Sequence, residues 1–299
     1  MDTPVPLFDS LNDALAAVES PGCSVSGERG VGGGCISSCG ILTLDTGRRL
    51  FIKRNGTGGL DMFCREAAGL SALAVVDGAP GVPQVLAAGT DGSFSFLLME
   101  YLESASRGSR FWETFGRALA LMHQNGRSGA CGFHEDNYIG ASPQLNTALE
   151  DWIDFFRIRR IEYQLKMARD RRLADRSMTE LVSRVMERLD RILIPCDSGG
   201  ASLLHGDLWS GNYITGPAGE ACIIDPAVYY GHREADLAMT RLFGGYDPAF
   251  YSAYNEAWPL EPGAAERSDL YNLYHMLNHL NLFGGSYAAS VLSIARKYS

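Results

Sequence analysis

Basic residues are in the minority. Across 299 residues, 26 Lys and Arg stand against 35 Asp and Glu, a formal net charge of −9. That balance does not supply the clustered Lys/Arg footprint on which non-specific nucleic-acid binding runs, so no nucleic-acid partner is expected. A nucleotide, which needs positive charge only locally, stays open. No stretch approaches eighteen apolar residues, so neither a transmembrane helix nor a membrane partner is expected. The opening MDTPVPLFDSLNDALAAVES has acids but no basic n-region, which argues against a secretory signal and for a cytoplasmic protein. In that compartment the seven cysteines are reduced thiols, with no disulfide framework. Internal repeats and low-complexity tracts are also missing. What remains is an ordinary globular composition, 46% hydrophobic, at a length suited to roughly two domains.

The pattern along the chain divides it. Residues 6–18 have the spacing of a short amphipathic helix. A glycine-rich stretch, GERGVGGGCISSCG, follows, then alternating apolar residues on both sides of Asp45-Thr46-Gly47, a hairpin signal. Residues 61–76 have helical spacing with Asp61 as expected N-cap. Strands are expected around 84–89 and 94–102, split by an Asp91-Gly92 turn. Beyond the polar ESASRGS the pattern becomes helical, at 109–125, 146–171 and 175–194. It is interrupted by LLHGDLWSGNYI (203–214) and by a short strand ACIID (221–225), and three more helices are expected to close the chain.

The interrupting stretch holds the chemistry. Asp207 and Asn212 fit H-x-D-x-x-x-x-N, the catalytic-loop pattern of kinase-like phosphotransferases. The spacing lets the Asp face an acceptor hydroxyl while the Asn reaches Mg2+ on the nucleotide phosphates. Asp225, thirteen residues on, ends the apolar run Ile223-Ile224 and can chelate the same metal. Each alone is an ordinary turn residue; the three together on a strand–loop–strand unit point to phosphotransfer.

The first part of the chain supplies a cation. Lys53 lies on the strand LFIKRN, and Glu66 falls on the apolar face of its helix between Phe63 and Leu70. A buried carboxylate needs a cation, and Lys53 is the natural one. A Lys held by a Glu, and able to touch phosphate oxygens, is the kinase-fold ion pair. Gly30, Gly32, Gly33 and Gly34 lie just ahead of that strand, where a lid over ATP belongs. They do not fit the P-loop pattern, and antiparallel hairpin signals exclude a Rossmann unit. Met99, Glu100, Tyr101 and Leu102 end the last strand, at the place of an adenine-reading hinge. His275 and His279 have metal-like i, i+4 spacing but no third ligand, so they read as core or capping residues. Cys35 and Cys39 lack a second pair, which argues against zinc. Cys35 sits where backbone N–H groups would lower its pKa, which leaves redox sensitivity open.

With these residues placed, the chain resembles the fructosamine 3-kinase (ketosamine 3-kinase) family over nearly its whole length. The resemblance rests on HGDLWSGN with Trp209 inside it, and on IIDPAVYYGHREADLAMTRLFGG (223–245), with Asp-Pro-Ala where protein kinases have Asp-Phe-Gly. It rests also on GFHEDNYIG with Pro143-Gln144 and Asn146, on DWIDFF, and on LYNLYHMLNHLNLFGGSY. Thr147-Ala148-Leu149 depart from it, where the family usually has an aromatic residue. The resemblance implies an α+β, bilobal protein-kinase-like fold: a small β-rich nucleotide-binding lobe over 1–101 and a larger, mainly helical lobe over 102–299, with ATP in the cleft between. It implies ATP and Mg2+ as cofactors and a small-molecule or protein-bound ketosamine as substrate. The 3-hydroxyl is phosphorylated, and loss of the unstable 3-phosphate frees the amine, which is deglycation. Asp207 would be the base, Trp209 a face for the sugar, and Glu234 an acid for the cationic amine. Asp236 would brace the loop through backbone N–H groups. A monomer or weak dimer is expected. The aminoglycoside- or choline-type small-molecule kinases and a nucleotide-binding pseudokinase stay open as alternatives.

Overall fold

The computed structural model describes residues 5–32 and 37–299. It has two compact units. The first comprises Met1–Val75, Pro80–Phe111 and Ile214–Asp225; the second comprises Val76–Ala79, Trp112–Tyr213 and Pro226–Ser299.

The first unit is built on a six-stranded sheet. Its strands are β1 (Leu7–Phe8), β2 (Val25–Val31), β3 (Ser38–Leu44), β4 (Arg49–Gly56), β5 (Val85–Asp91) and β6 (Phe94–Glu100), in the order β1-β5-β6-β4-β3-β2. The hairpin at Asp45-Thr46-Gly47 joins β3 to β4, and the Asp91-Gly92 turn joins β5 to β6, as their turn chemistry requires. Alternation along β4 sends Leu50 and Ile52 to one face, with Leu42, Leu44, Phe96 and Leu98, against α1 (Leu11–Val18). The opposite face carries Leu97 and Met99 against Phe63, Ala67 and Leu70 of α2 (Leu60–Ala74).

The structure corrects three local expectations. Residues 7 and 8 are not helical: they pair in parallel with Ala88 and Gly89 of β5, and the helix starts after Ser10, whose side chain accepts from the Asp13 N–H. The approach is so close that a Cβ at Gly89 would lie 2.1 Å from the Phe8 carbonyl oxygen. Asp61 is not an N-cap; Gly59 holds that position, and Asp61 sits in the first turn, 3.0 Å from Arg65. Finally, the glycine-rich stretch is strand β2 as far as Val31. Every residue of it is solvent-exposed, and it lies at the sheet edge with Gly30 opposite Gly40. Its lack of a buried face is why apolar alternation did not reveal it.

The second unit is mainly helical. Its longer helices are α3 (Phe111–Asn125), α6 (Arg176–Glu187), α9 (Pro248–Ala257), α10 (Ala264–Phe283) and α11 (Ala288–Tyr298). The pattern at 146–171 becomes helical only at Trp152, behind the cap Asp151. It runs as α4 (Trp152–Phe155), a π-helical stretch Phe156–Glu162 and α5 (Tyr163–Asp170). The π stretch carries the fully buried Arg160, whose guanidinium lies 3.9 Å from the Tyr229 ring centroid and donates to Leu145 O and Asn146 Oδ1. The pattern at 175–194 breaks at Arg188 into α6 and α7 (Leu189–Ile192). Four α-helices close the chain rather than three, because α8 (Glu234–Arg241) carries the charged residues Glu234 and Asp236 in buried positions, which breaks the polar–apolar pattern of a surface helix. No helix among the described residues is long and apolar enough to cross a membrane.

His123, His232 and His275 are buried in this unit, and burial pushes each imidazole down, the latter two to about 3. Unfolded, each takes up a proton near pH 6.5. The folded form is therefore favoured fully above that pH and loses stability as pH falls from there toward 3, by about 1.4 kcal/mol per pH unit for each of His232 and His275, with His123 acting in the same direction. Urea unfolding between pH 8 and 4.5 should show this slope, and His275→Gln should reduce it by about one proton; a flat profile would contradict the burial of neutral imidazoles.

Candidate functional site

Two groups of polar side chains stand out, one in each unit. In the first, Lys53 on β4 is 93% buried and its ammonium is shared: Nζ lies 2.6 Å from Glu66 Oε1 on α2 and 2.5 Å from Asp225 Oδ1. The register explains the convergence. Lys53 lies between Cys39 of β3 and Leu97 of β6, on the sheet face that α2 covers. Burial disfavours its charge, but the two carboxylates outweigh that and hold its pKa above the usual lysine range. Burial likewise pushes the Glu66 carboxyl up, with Lys53 pulling it back. Asp225 follows the strand β12 (Ala221–Ile223) and adopts a left-handed backbone, φ 57°, with its side chain half exposed.

The hinge-like residues end the same sheet. Met99 is buried opposite Phe51, and Glu100 N–H donates to Gln84 O while its carboxylate accepts from Gln84 N–H at 2.7 Å. The Tyr101 ring lies under Arg49, 4.8 Å from the guanidinium carbon, and Leu102 lies past the strand. Gly32 is an exposed bend after β2, whereas Gly33, Gly34 and Cys35 lie outside the described residues.

In the second unit, the strand β10 (Ala201–Leu204) runs into His205-Gly206-Asp207. Gly206 has φ 83°, and a Cβ there would sit 2.0 Å from the Ala227 carbonyl oxygen, so only glycine fits this crossing. The turn is held from below by Asp236, fully buried on α8. Its Oδ2 accepts from His205 N–H at 2.7 Å and its Oδ1 from Gly206 N–H at 2.9 Å, with His123 Nε2 at 3.2 Å from Oδ2. Burial works against that charge, but the His123 and backbone hydrogen bonds outweigh it and hold the pKa below the usual carboxylate range. Asp207 is only partly buried. Asn212 turns back onto it, with Nδ2 donating to Asp207 O at 2.8 Å and Oδ2 at 3.2 Å.

Trp209, between these two, folds over Gly211: a Cβ there would be 2.3 Å from the indole. The indole meets the exposed ring of Phe243 edge-on at 5.9 Å, and Tyr246 Oη donates to Trp209 O at 3.1 Å. Glu234 does not take the expected role. It is buried, and both its oxygens accept from Arg267, at 2.6 and 2.8 Å, so its charge is already matched inside the protein. His279 Nδ1 donates to His275 O and packs among Phe243, Phe283 and Tyr287, and no metal-holding cluster of His, Cys, Asp or Glu occurs among the described residues.

Sequence reasoning missed His123, Arg267, Tyr246 and Phe243. Only His123 left a signal, being four residues after Leu119 on the apolar stripe of its helix.

A family model for fructosamine kinase matches residues 7–298. The chain is 44% identical over 260 residues to a probable ketoamine kinase of Synechocystis sp., covering 87% of this chain and 85% of that one. It is 40% identical over 289 residues to the chloroplastic protein-ribulosamine 3-kinase of Oryza sativa subsp. indica, covering 94% and 81%. A solved structure from Haemophilus somnus, provisionally described as a fructosamine-3-kinase, superposes with a TM-score of 0.86 at 27% identity over 97% and 96% of the two chains.

Removing the Asp236 carboxylate strands two buried N–H groups, each costing about 1–3 kcal/mol. Asp236→Ala should lower the urea unfolding free energy by about 2–6 kcal/mol and reduce phosphotransfer more than tenfold. An unchanged unfolding midpoint would remove Asp236 from this bracing role.

Proposed function

The chain belongs to the fructosamine kinase family, and from that membership we infer an ATP-dependent phosphotransferase that acts on the 3-hydroxyl of ketosamines. The observation that supports it most is the Lys53 ammonium, buried and held between Glu66 and Asp225. A cation fixed in that way, with one half-exposed carboxylate beside it, is matched to nucleotide phosphates and not to fold stability, since buried ion pairs are weak stabilisers.

In this reading Asp207 accepts the proton of the attacking 3-hydroxyl and Lys53 contacts the phosphate oxygens of ATP. Gly32 belongs to the loop read as lying over ATP, and Met99 to Leu102 present backbone to its base. The residues fit Mg2+: Asp225 gives a charged oxygen donor and Asn212 a neutral one. With the Asn212 amide nitrogen spent on Asp207, its oxygen is the atom suited to a hard cation. Two protein donors are few, as suits an ion that keeps waters and phosphate oxygens. When bound, Mg2+ would neutralise charge on the phosphates. The 3-phosphate formed is unstable and its loss frees the amine. Trp209 takes the sugar, its indole gaining from C–H burial and from a cationic amine nearby, at about 0.5–2 kcal/mol.

Two experiments test this. ATP consumption against fructosamines, ribulosamines and erythrulosamines should be Mg2+-dependent and should fall by about 10²–10⁴-fold in Asp207→Ala; ATP turnover that none of these compounds stimulates would exclude the ketosamine assignment. Trp209→Ala should raise the ketosamine KM, or lower kcat/KM, by about ten- to a hundredfold while the KM for ATP and the melting temperature hold. A sharp loss of melting temperature with both KM values unchanged would make the indole a packing residue.

A further inference from the structure

A pair of cysteines lies outside everything described above. β7 (Arg127–Ser128) and β10 are antiparallel neighbours, with Ser128 opposite Ala201. The chain leaving β7 and the chain entering β10 therefore meet at one end of this ribbon. Cys131 is three residues past the first point and Cys196 five residues before the second. Both line one cavity of about 320 Å³, with Asp151, Trp152, Gly199 and Gly200. Cys131 is buried in the main core of the unit, and the half-buried Cys196 packs against that core. The two are held differently. Cys131 is fixed by reciprocal backbone hydrogen bonds with Leu149, at 2.8 and 3.1 Å. Cys196 begins an exposed loop that Arg127 tethers through Asp197 and Gly199 O, and Gly200, at φ 92°, gives that loop its turn. A rigid thiol and an adjustable one thus line the same space.

We propose that Cys131 and Cys196 form a reversible disulfide when hydrogen peroxide enters this cavity. The Cys196 sulfur, on the surface loop, attacks the peroxide oxygen and becomes a sulfenic acid as the first water leaves. The Cys131 sulfur then displaces hydroxide from it, closing the S–S bond. Both thiol hydrogens end in the two waters, each sulfur loses one electron, and the O–O bond takes up the pair. The neighbouring Cys131 sulfur is the first cause, ahead of burial, that pushes the Cys196 thiol up. A thiol kept protonated reacts slowly, so the pair stays reduced at neutral pH under mild oxidant and closes faster as pH rises.

The test uses the full chain with hydrogen peroxide at pH 8.5, followed by alkylation of remaining thiols and non-reducing peptide mapping of all seven cysteines. The expected product is one peptide pair joined through Cys131 and Cys196, two hydrogens lighter and released by dithiothreitol. Cys196→Ser should abolish that pair while leaving circular dichroism unchanged, so that misfolding does not explain its loss. Recovery of both cysteines separately alkylated, joined to other partners, or carried only to sulfinic or sulfonic acids would overturn the proposal.

Discussion

The carboxylate of Asp236 is the point on which the helical unit's chemistry depends. It lies in the interior, where an isolated charge is costly, and is tolerated because both oxygens receive hydrogens from backbone groups and from His123. The donors are the N–H groups of the two residues that precede Asp207. One buried anion therefore fixes the peptide planes that aim the proposed base. The Gly206 crossing over Ala227 acts in the same direction, since it leaves the turn no space for a different path. His123 carries this constraint into α3, and its neutral imidazole accepts or donates without adding a second buried charge.

The sheet unit solves a related problem with the opposite sign. Lys53 is a buried cation with two acidic partners, and only Glu66 is as enclosed as the lysine. Asp225 is half exposed, so its hold on the ammonium is screened by solvent and is the weaker of the two contacts. The arrangement keeps the lysine ionised and in place through Glu66 while Asp225 can turn toward another positive charge.

Much of this was legible in the chain itself. The turn residues Asp45-Thr46-Gly47 and Asp91-Gly92 between alternating apolar runs fix both hairpins, because only such residues close them. The pairing of Lys53 with Glu66 was legible because a carboxylate on the apolar face of a helix needs a cation, and the bracing of the turn by Asp236 followed from the family resemblance; the roles proposed for Asp207, Asn212 and Asp225 rest on their residue types and spacing. The failures have physical causes. β2 has no buried face, so its membership in the sheet is written in backbone pairing with β3 and in polar contacts such as Glu28 with Arg54, and not in apolar alternation. Residues 7–8 look helical because a two-residue parallel strand is too short to show a period. Glu234 was read as a substrate acid because Arg267, thirty-three residues away, carries no local mark of being its partner. The Cys131–Cys196 cavity was invisible for the same reason: sixty-five positions of chain separate two residues that the β7–β10 pairing brings to one end.

The left-handed backbone at Asp225 has an implication for how this chain could change over time. Glycine adopts that conformation without penalty, whereas a residue with a side chain gives up something on the order of 1 kcal/mol there, somewhat less for Asp and Asn. Drift toward greater robustness would thus favour Gly at 225, and Asn would satisfy the backbone as well as Asp does while removing the charge. Keeping aspartate there holds the fold slightly below its attainable stability, so selection on folding alone that reached this position would gain robustness at the expense of the proposed metal-facing carboxylate.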